Sequence, residues 1–233
     1  MRDNYIGQLL VHNSDDTAFE NYIFAAFAAE IMSWGSEFKA DIYALGLLIY
    51  FEDQDLRYGT VGLVYNTHQH YQNELYSLMK KYPTPVPSEE ETKGAAEVKW
   101  HFDYWVQFAH WPQDNLALVA KGHSPYADPV GVVLRQGWLE GQHLWFTDEE
   151  EEADFDRCLE IGGRIQEAFL AACVRAASRL HTEGIIEDAF GHSVPVVFHD
   201  YPYEPAAAQH THEANPPELA EEFERYVLVG RHS

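Results

Sequence analysis

A chain of 233 residues with fifteen Lys and Arg against thirty-eight Asp and Glu carries a formal charge of -23 at pH 7. That surplus repels phosphate backbones and anionic lipid headgroups, which excludes nucleic acid and membrane surfaces as partners and favours a basic protein partner. Hydrophobic residues at 46% and aromatics at 14% supply an ordinary core, so the chain is not a disordered acidic tract and its carboxylates belong outside.

The length fits one domain over residues 1–233, large enough to bury roughly 70–75% of its unfolded surface without a disulfide or metal staple. Cys158 and Cys173 are the only cysteines. They fall in one predicted helix, roughly 22 Å apart at helical rise, and read as two buried thiols of a reducing compartment. Met1-Arg2-Asp3-Asn4-Tyr5 does not lead into an apolar stretch, so no signal peptide is expected. The longest apolar run, Ile42 to Phe51, is too short to span a bilayer. A cytoplasmic location is the expectation.

Asp15, Asp16 and Thr17, with Glu20 three residues after Thr17, predict a capping box and the start of a first helix. Phe19, Ile23, Phe27 and Ile31 recur every four residues on its core stripe, and Gly35 closes the segment. Asp41 to Phe51 is apolar on both alternating faces, the pattern of a central strand covered on both sides. The polar turn Glu52 to Arg57 leads to an antiparallel neighbour at Tyr58–Tyr65. Asn66 and Thr67 then start a second helix whose inner face carries Tyr71, Leu75, Leu78, Met79 and Tyr82.

Pro83 to Thr92 is acidic and proline-rich, which predicts an exposed loop near 83–98 rather than helix or strand. Short strands are expected at Leu116–Ala120, Val130–Leu134 and His143–Phe146. Thr147 and Glu150 form a second capping box, opening one long helix through the run Asp148 to Glu152 and on to Gly184. Phe155, Leu159, Ile165, Phe169, Ala172, Ala176 and Leu180 trace its inner stripe. Gly162 and Gly163 lie mid-helix at roughly 1 kcal/mol each relative to alanine, so the helix bends there or another backbone comes close. Val194–His199 reads as a last strand, and Pro216-Pro217 starts a short C-terminal helix. This order predicts an α+β fold: a largely antiparallel central sheet flanked by helices, with one long helix in the C-terminal half.

At these residues the chain resembles a bacterial family, domain of unknown function 4303. The likeness is carried by Asp41-Ile42-Tyr43-Ala44-Leu45-Gly46-Leu47 opening the hairpin and Asn66-Thr67-His68-Gln69-His70 closing it. Trp100 and Trp105, and the stretch from the long helix through Val194–His199 to Asn215-Pro216, fit the same pattern. The resemblance covers most of the chain and implies a single bacterial α+β domain. It supplies no activity and no catalytic residue.

Thirteen histidines raise the question of a metal. The tightest groups are His68 with His70, His210 with His212 beside Glu213, and His199 beside Asp200. Zinc or iron needs three or four such ligands converging. On a helix, positions i and i+2 point about 200° apart, so His68 and His70 share a face only in extended chain. The same holds for His210 and His212, expected in a loop after Pro205. No His-Glu-x-x-His motif occurs, surface histidines are the plainer account, and no cofactor is expected.

Gly122-His123-Ser124-Pro125-Tyr126 begins like a nucleophile elbow but lacks the second glycine and reads as a turn. No phosphate loop of the Gly-x-x-x-x-Gly-Lys type exists. Trp100, Tyr104, Phe108 and Trp111 lie on one helical face and Phe102, Trp105 and Ala109 on another. Core packing is the plainer account of that aromatic stretch, with a ligand groove or a protein anchor as the alternative.

Two expectations for function follow. The first is a non-enzymatic acidic binding protein for a basic partner, immunity-like in character, with Glu149, Glu150, Glu151, Glu152 and Trp105 as contact candidates. The second is a small metal-dependent, hydrolase-like enzyme using His199 and Asp200 as catalytic groups, with His68, His70, His210 and His212 as candidate ligands.

Overall fold

The apolar run from Ile42 is the central strand of a four-stranded sheet in the computed structural model, which describes residues 17–51, 55–81, 89–105, 117–118, 129–199 and 205–229. This strand, β1 (Ile42–Phe51), pairs antiparallel with β2 (Gly59–Thr67), and β2 pairs antiparallel with the two-residue β3 (Ala117–Leu118). On its other side β1 runs parallel to β4 (Val196–His199), so the order is β3-β2-β1-β4. The fold is α+β and the sheet largely antiparallel, with one parallel pair at its edge.

Alternation along β1 sorts its side chains between two cores. Leu45, Leu47 and Ile49 enter the larger one, against α1 (Ala18–Ser33) and α7 (Phe155–Thr182). Ala44 and Leu48 face the smaller one, filled by Trp100, Trp105, Val197, Ala208 and Phe223. The stripe Phe19, Ile23, Phe27 and Ile31 is fully inside, and Tyr22, Phe24, Ala25 and Ala26 are buried beside it. Thr17 stands at the N-cap of α1, but its hydroxyl accepts from Asn21 Nδ2 at 3.3 Å instead of closing a capping box. The short α2 (Ser36–Asp41) links α1 to β1.

Several expectations are corrected. The loop near 83–98 is helical from Glu89: α4 covers Glu89–Trp100, and the prolines of the segment lie upstream of it in the sequence. Residues 82–88 lie outside the described residues. Trp100 ends that helix, and Phe102–Tyr104 is a 3-10 turn, so no aromatic helix continues through it. Val130–Leu134 is helix rather than strand, inside α5 (Pro129–Gly141), which starts on a proline whose fixed φ suits a first turn. His143 adopts a left-handed φ of 57° and Leu144–Phe146 is irregular chain. Of the expected strand at 116–120, Ala117–Leu118 is present.

The long helix of the C-terminal half is present as α7, but it starts at Phe155 rather than at Asp148. The capping box at Thr147 and Glu150 forms, with Thr147 N–H donating to Glu150 Oε2 at 2.8 Å, but it opens the short α6 (Asp148–Ala153). Asp154 leaves helical geometry at φ -149° and its side chain caps α7, accepting from Arg157 N–H at 3.2 Å. Gly162 then lies in unbroken helix. What comes close is a side chain: a Cβ there would meet Leu56 Cδ1 at 3.0 Å. In α3 (His68–Lys81) Leu75 and Leu78 are half-buried while Met79 is 60% exposed, so its inner face is shallow. After α8 (Ile185–Phe190) and β4, the residues around His210 form α9 (Pro205–Ala214) rather than a loop, followed by α10 (Pro217–Val229). No helix among the described residues is long and apolar enough to cross a membrane.

Candidate functional site

Among the residues whose burial is described no Asp or Glu is buried, whereas two cations, Arg57 and Arg135, are. The fold therefore withdraws positive charge from a surface already short of it. Arg57, 4% exposed, lies in the 3-10 turn Leu56–Tyr58 before β2. Its guanidinium meets Asp55 Oδ2 at 2.7 Å, Asp148 Oδ1 at 2.8 Å and Glu151 Oε2 at 3.3 Å, and donates to the Phe146 carbonyl at 3.1 Å. It also stacks over the Phe146 ring at 4.6 Å. The hydrogen bonds to Asp55 and Asp148 push its already high pKa further up. Arg57 thus fastens the start of β2 to α6.

The expected contact carboxylates divide by role. Glu151 turns inward to Arg57, and Glu150 closes the capping box. Glu149 and Glu152 stand exposed. Immediately after them the structure exposes two side chains expected inside: Phe155 is 61% and Leu159 59% exposed. Cys158, Gly162 and Ile165, on the adjoining stripe of α7, are buried. The apolar face of α7 overruns the core at its N-terminal end, leaving an aromatic and an aliphatic side chain one turn apart in solvent. Periodicity points these residues correctly toward the core face but carries no signal for where the core stops.

Trp105 is corrected as a surface anchor. It is 2% exposed, its Nε1 donates to the Lys99 carbonyl at 3.0 Å, and its ring meets the His199 ring edge-on at 4.5 Å. Tyr43 Oη donates to the same carbonyl at 2.8 Å, and Lys99 Nζ bonds Glu222 at 2.6 Å, so β1, α4 and α10 are joined around it.

The candidate histidines among the described residues are dispersed. His199 is fully buried in the smaller core, where desolvation, with a smaller contribution from His101, pushes its pKa down to about 3 and holds the imidazole neutral. Asp200 lies outside the described residues. His68 and His70 diverge on α3: His68 lies against the Tyr43 ring at 5.2 Å, while His70 Nε2 bonds the Tyr104 carbonyl at 2.8 Å. Because α9 is helical, His210 and His212 also point apart, His210 toward the Phe198 ring and His212 to Glu224 Oε1 at 2.8 Å. Among the described residues no three His, Cys, Asp or Glu side chains gather as a metal set. Cys158 and Cys173 are buried, and burial pushes the Cys173 thiol up, away from a reactive thiolate.

The arrangement these residues make is thus a surface: exposed carboxylates of α6 and α7 flank a small apolar pair in the sequence, and the buried Arg57 ties down α6. Comparison with protein-family models, with curated proteins and with solved structures returns no match, so the resemblance to domain of unknown function 4303 rests on the residues quoted for it.

Proposed function

We propose that this chain is a non-enzymatic binding protein of the bacterial cytoplasm whose partner is a basic protein, an immunity-like role being one such case. The observation that carries this reading is the one-sided placement of charge: every Asp and Glu whose burial is described reaches solvent while Arg57 and Arg135 are drawn inside. With -23 overall, the exterior presents a field that speeds encounter with a cationic surface and repels other anions. Salt weakens that field over roughly 10 Å at 0.1 M.

The test is capture by immobilised, tag-free protein from a lysate of the source organism. One basic protein retained in near-stoichiometric amount at physiological ionic strength, and released by high salt, supports the reading. Selective retention of no basic protein overturns it. Elemental analysis of the same preparation adds an independent check, since stoichiometric zinc, iron or manganese would favour a metal-dependent enzyme instead.

A further inference from the structure

We infer that, given the binding reading above, the partner docks on the first turns of α7, inserting apolar side chains against Phe155 and Leu159 and placing Lys or Arg on the carboxylates around them. Three observations converge on this patch. Phe155 and Leu159 are among the most exposed large apolar residues of the described chain, and they lie four residues apart on one helix face, about 6 Å along the axis. Over residues 148–160 the sequence has eight carboxylates against one cation, Arg157. The segment leading into the patch is tied down, because Arg57 bonds Asp148 and Glu151 of α6 and Asp154 caps α7.

An aromatic anchor with an aliphatic neighbour and a charged rim is the usual make-up of an interface centre. The sign of the rim selects the occupant. A second copy of this chain would bring -23 onto -23 across the same acidic border, which opposes self-association through this face. A basic amphipathic helix satisfies both requirements at once, its Leu-type residues at i, i+3 and i+4 meeting the apolar pair and its Lys residues meeting Glu149, Glu152, Asp156 and Glu160. Those four carboxylates are all exposed.

The experiment titrates the full chain with two synthetic peptides of equal charge, a Lys/Leu amphipathic helix and an oligolysine, and follows backbone amide shifts. The amphipathic peptide is expected to bind saturably at physiological ionic strength, with the largest shifts over residues 148–163. Phe155→Ser and Leu159→Ser should each weaken it about tenfold. Met79→Ser, at another exposed apolar site, should leave it unchanged. Both residues are exposed, so these variants keep the fold.

If both peptides bind alike and Phe155→Ser changes nothing, the docking site is wrong while the acidic-binder reading stands. If neither peptide binds even at low salt, both the docking site and the acidic-binder reading fall. A dimer in sedimentation that Phe155→Ser dissolves would make a second copy the occupant and overturn the inference.

Discussion

Asn215 closes the outer edge of the sheet by bonding both main-chain groups of Val196. Its Oδ1 accepts from the Val196 N–H at 2.8 Å and its Nδ2 donates to the Val196 carbonyl at 2.7 Å. Thr211 Oγ1 accepts from Phe198 N–H at 3.0 Å, so α9 and the residue just beyond it stand in for a fifth strand along β4. An open edge would invite pairing with another chain, and here side chains occupy three of its main-chain groups. Asn215→Ala leaves two buried backbone groups unsatisfied, for a loss of about 2–4 kcal/mol in urea unfolding. Asn215→Asp keeps the acceptor but sets a carboxylate oxygen against the Val196 and Thr211 carbonyls, and is expected to lose a similar amount. A neutral Asn215→Ala would contradict this role.

Gly46 sits in mid-strand between Val64 and Val197, where β1 must pass directly under the His199 ring. A Cβ there would lie 2.7 Å from His199 Cδ2, 2.8 Å from its Nε2 and 2.9 Å from Trp105 Cζ3. These rings are buried and cannot swing aside, so Gly46→Ala should destabilise by about 2–3 kcal/mol through overpacking. Paired with His199→Ala, which opens the space, the loss should fall well below the sum of the single changes. Additive losses would mean that the glycine serves something other than the ring.

Burial of His199 gives stability a defined acid limb. Its folded pKa of about 3 lies below the ordinary 6.5, so between those values the unfolded chain takes a proton that the folded chain refuses. The contribution is whole above about 6.5 and is lost as pH falls, at about 1.4 kcal/mol per unit, until about 3. His181, also pushed down by burial, acts in the same sense. The stability difference between wild type and His199→Leu should therefore shrink by about 2 kcal/mol from pH 7 to pH 5. A difference that holds constant across that range would show the imidazole protonating in place.

Periodicity recovered what depends on local pattern and missed what depends on distant partners. The two-sided run Ile42–Phe51 and the stripe Phe19, Ile23, Phe27 and Ile31 report burial directly, because their neighbours along the chain define the face. Val130–Leu134 looks like a strand from its β-branched residues, yet Pro129 and the packing of α5 make it helix. The destination of Trp105 is invisible locally, since its partner His199 is far away in sequence. Arg57 carries no local signal for the same reason: the groups that hold it include Glu151, 94 residues on. What the sequence does show locally is an arginine two residues after Asp55 in a chain with few cations.

Arg57 also offers the sharpest test of how the acidic platform is held. Removing its guanidinium leaves Asp55, Asp148 and Glu151 facing one another without a cation and strips the Phe146 ring of its stacking partner. A fully buried pair broken this way costs about 3–5 kcal/mol, and the exposure of Asp148 brings the expected loss for Arg57→Met to about 2–3 kcal/mol. Arg57→Lys keeps the charge but not the two-pronged contact with Asp55 or the reach to the Phe146 carbonyl, so it should fall between. Loosening should be local: amide exchange in α6 should quicken in Arg57→Met while the buried part of α7 beyond Ile165 stays protected. Uniform quickening along α7 would show that Arg57 supports the whole core, and unchanged exchange in α6 would show that the capping box at Thr147 holds that helix without it.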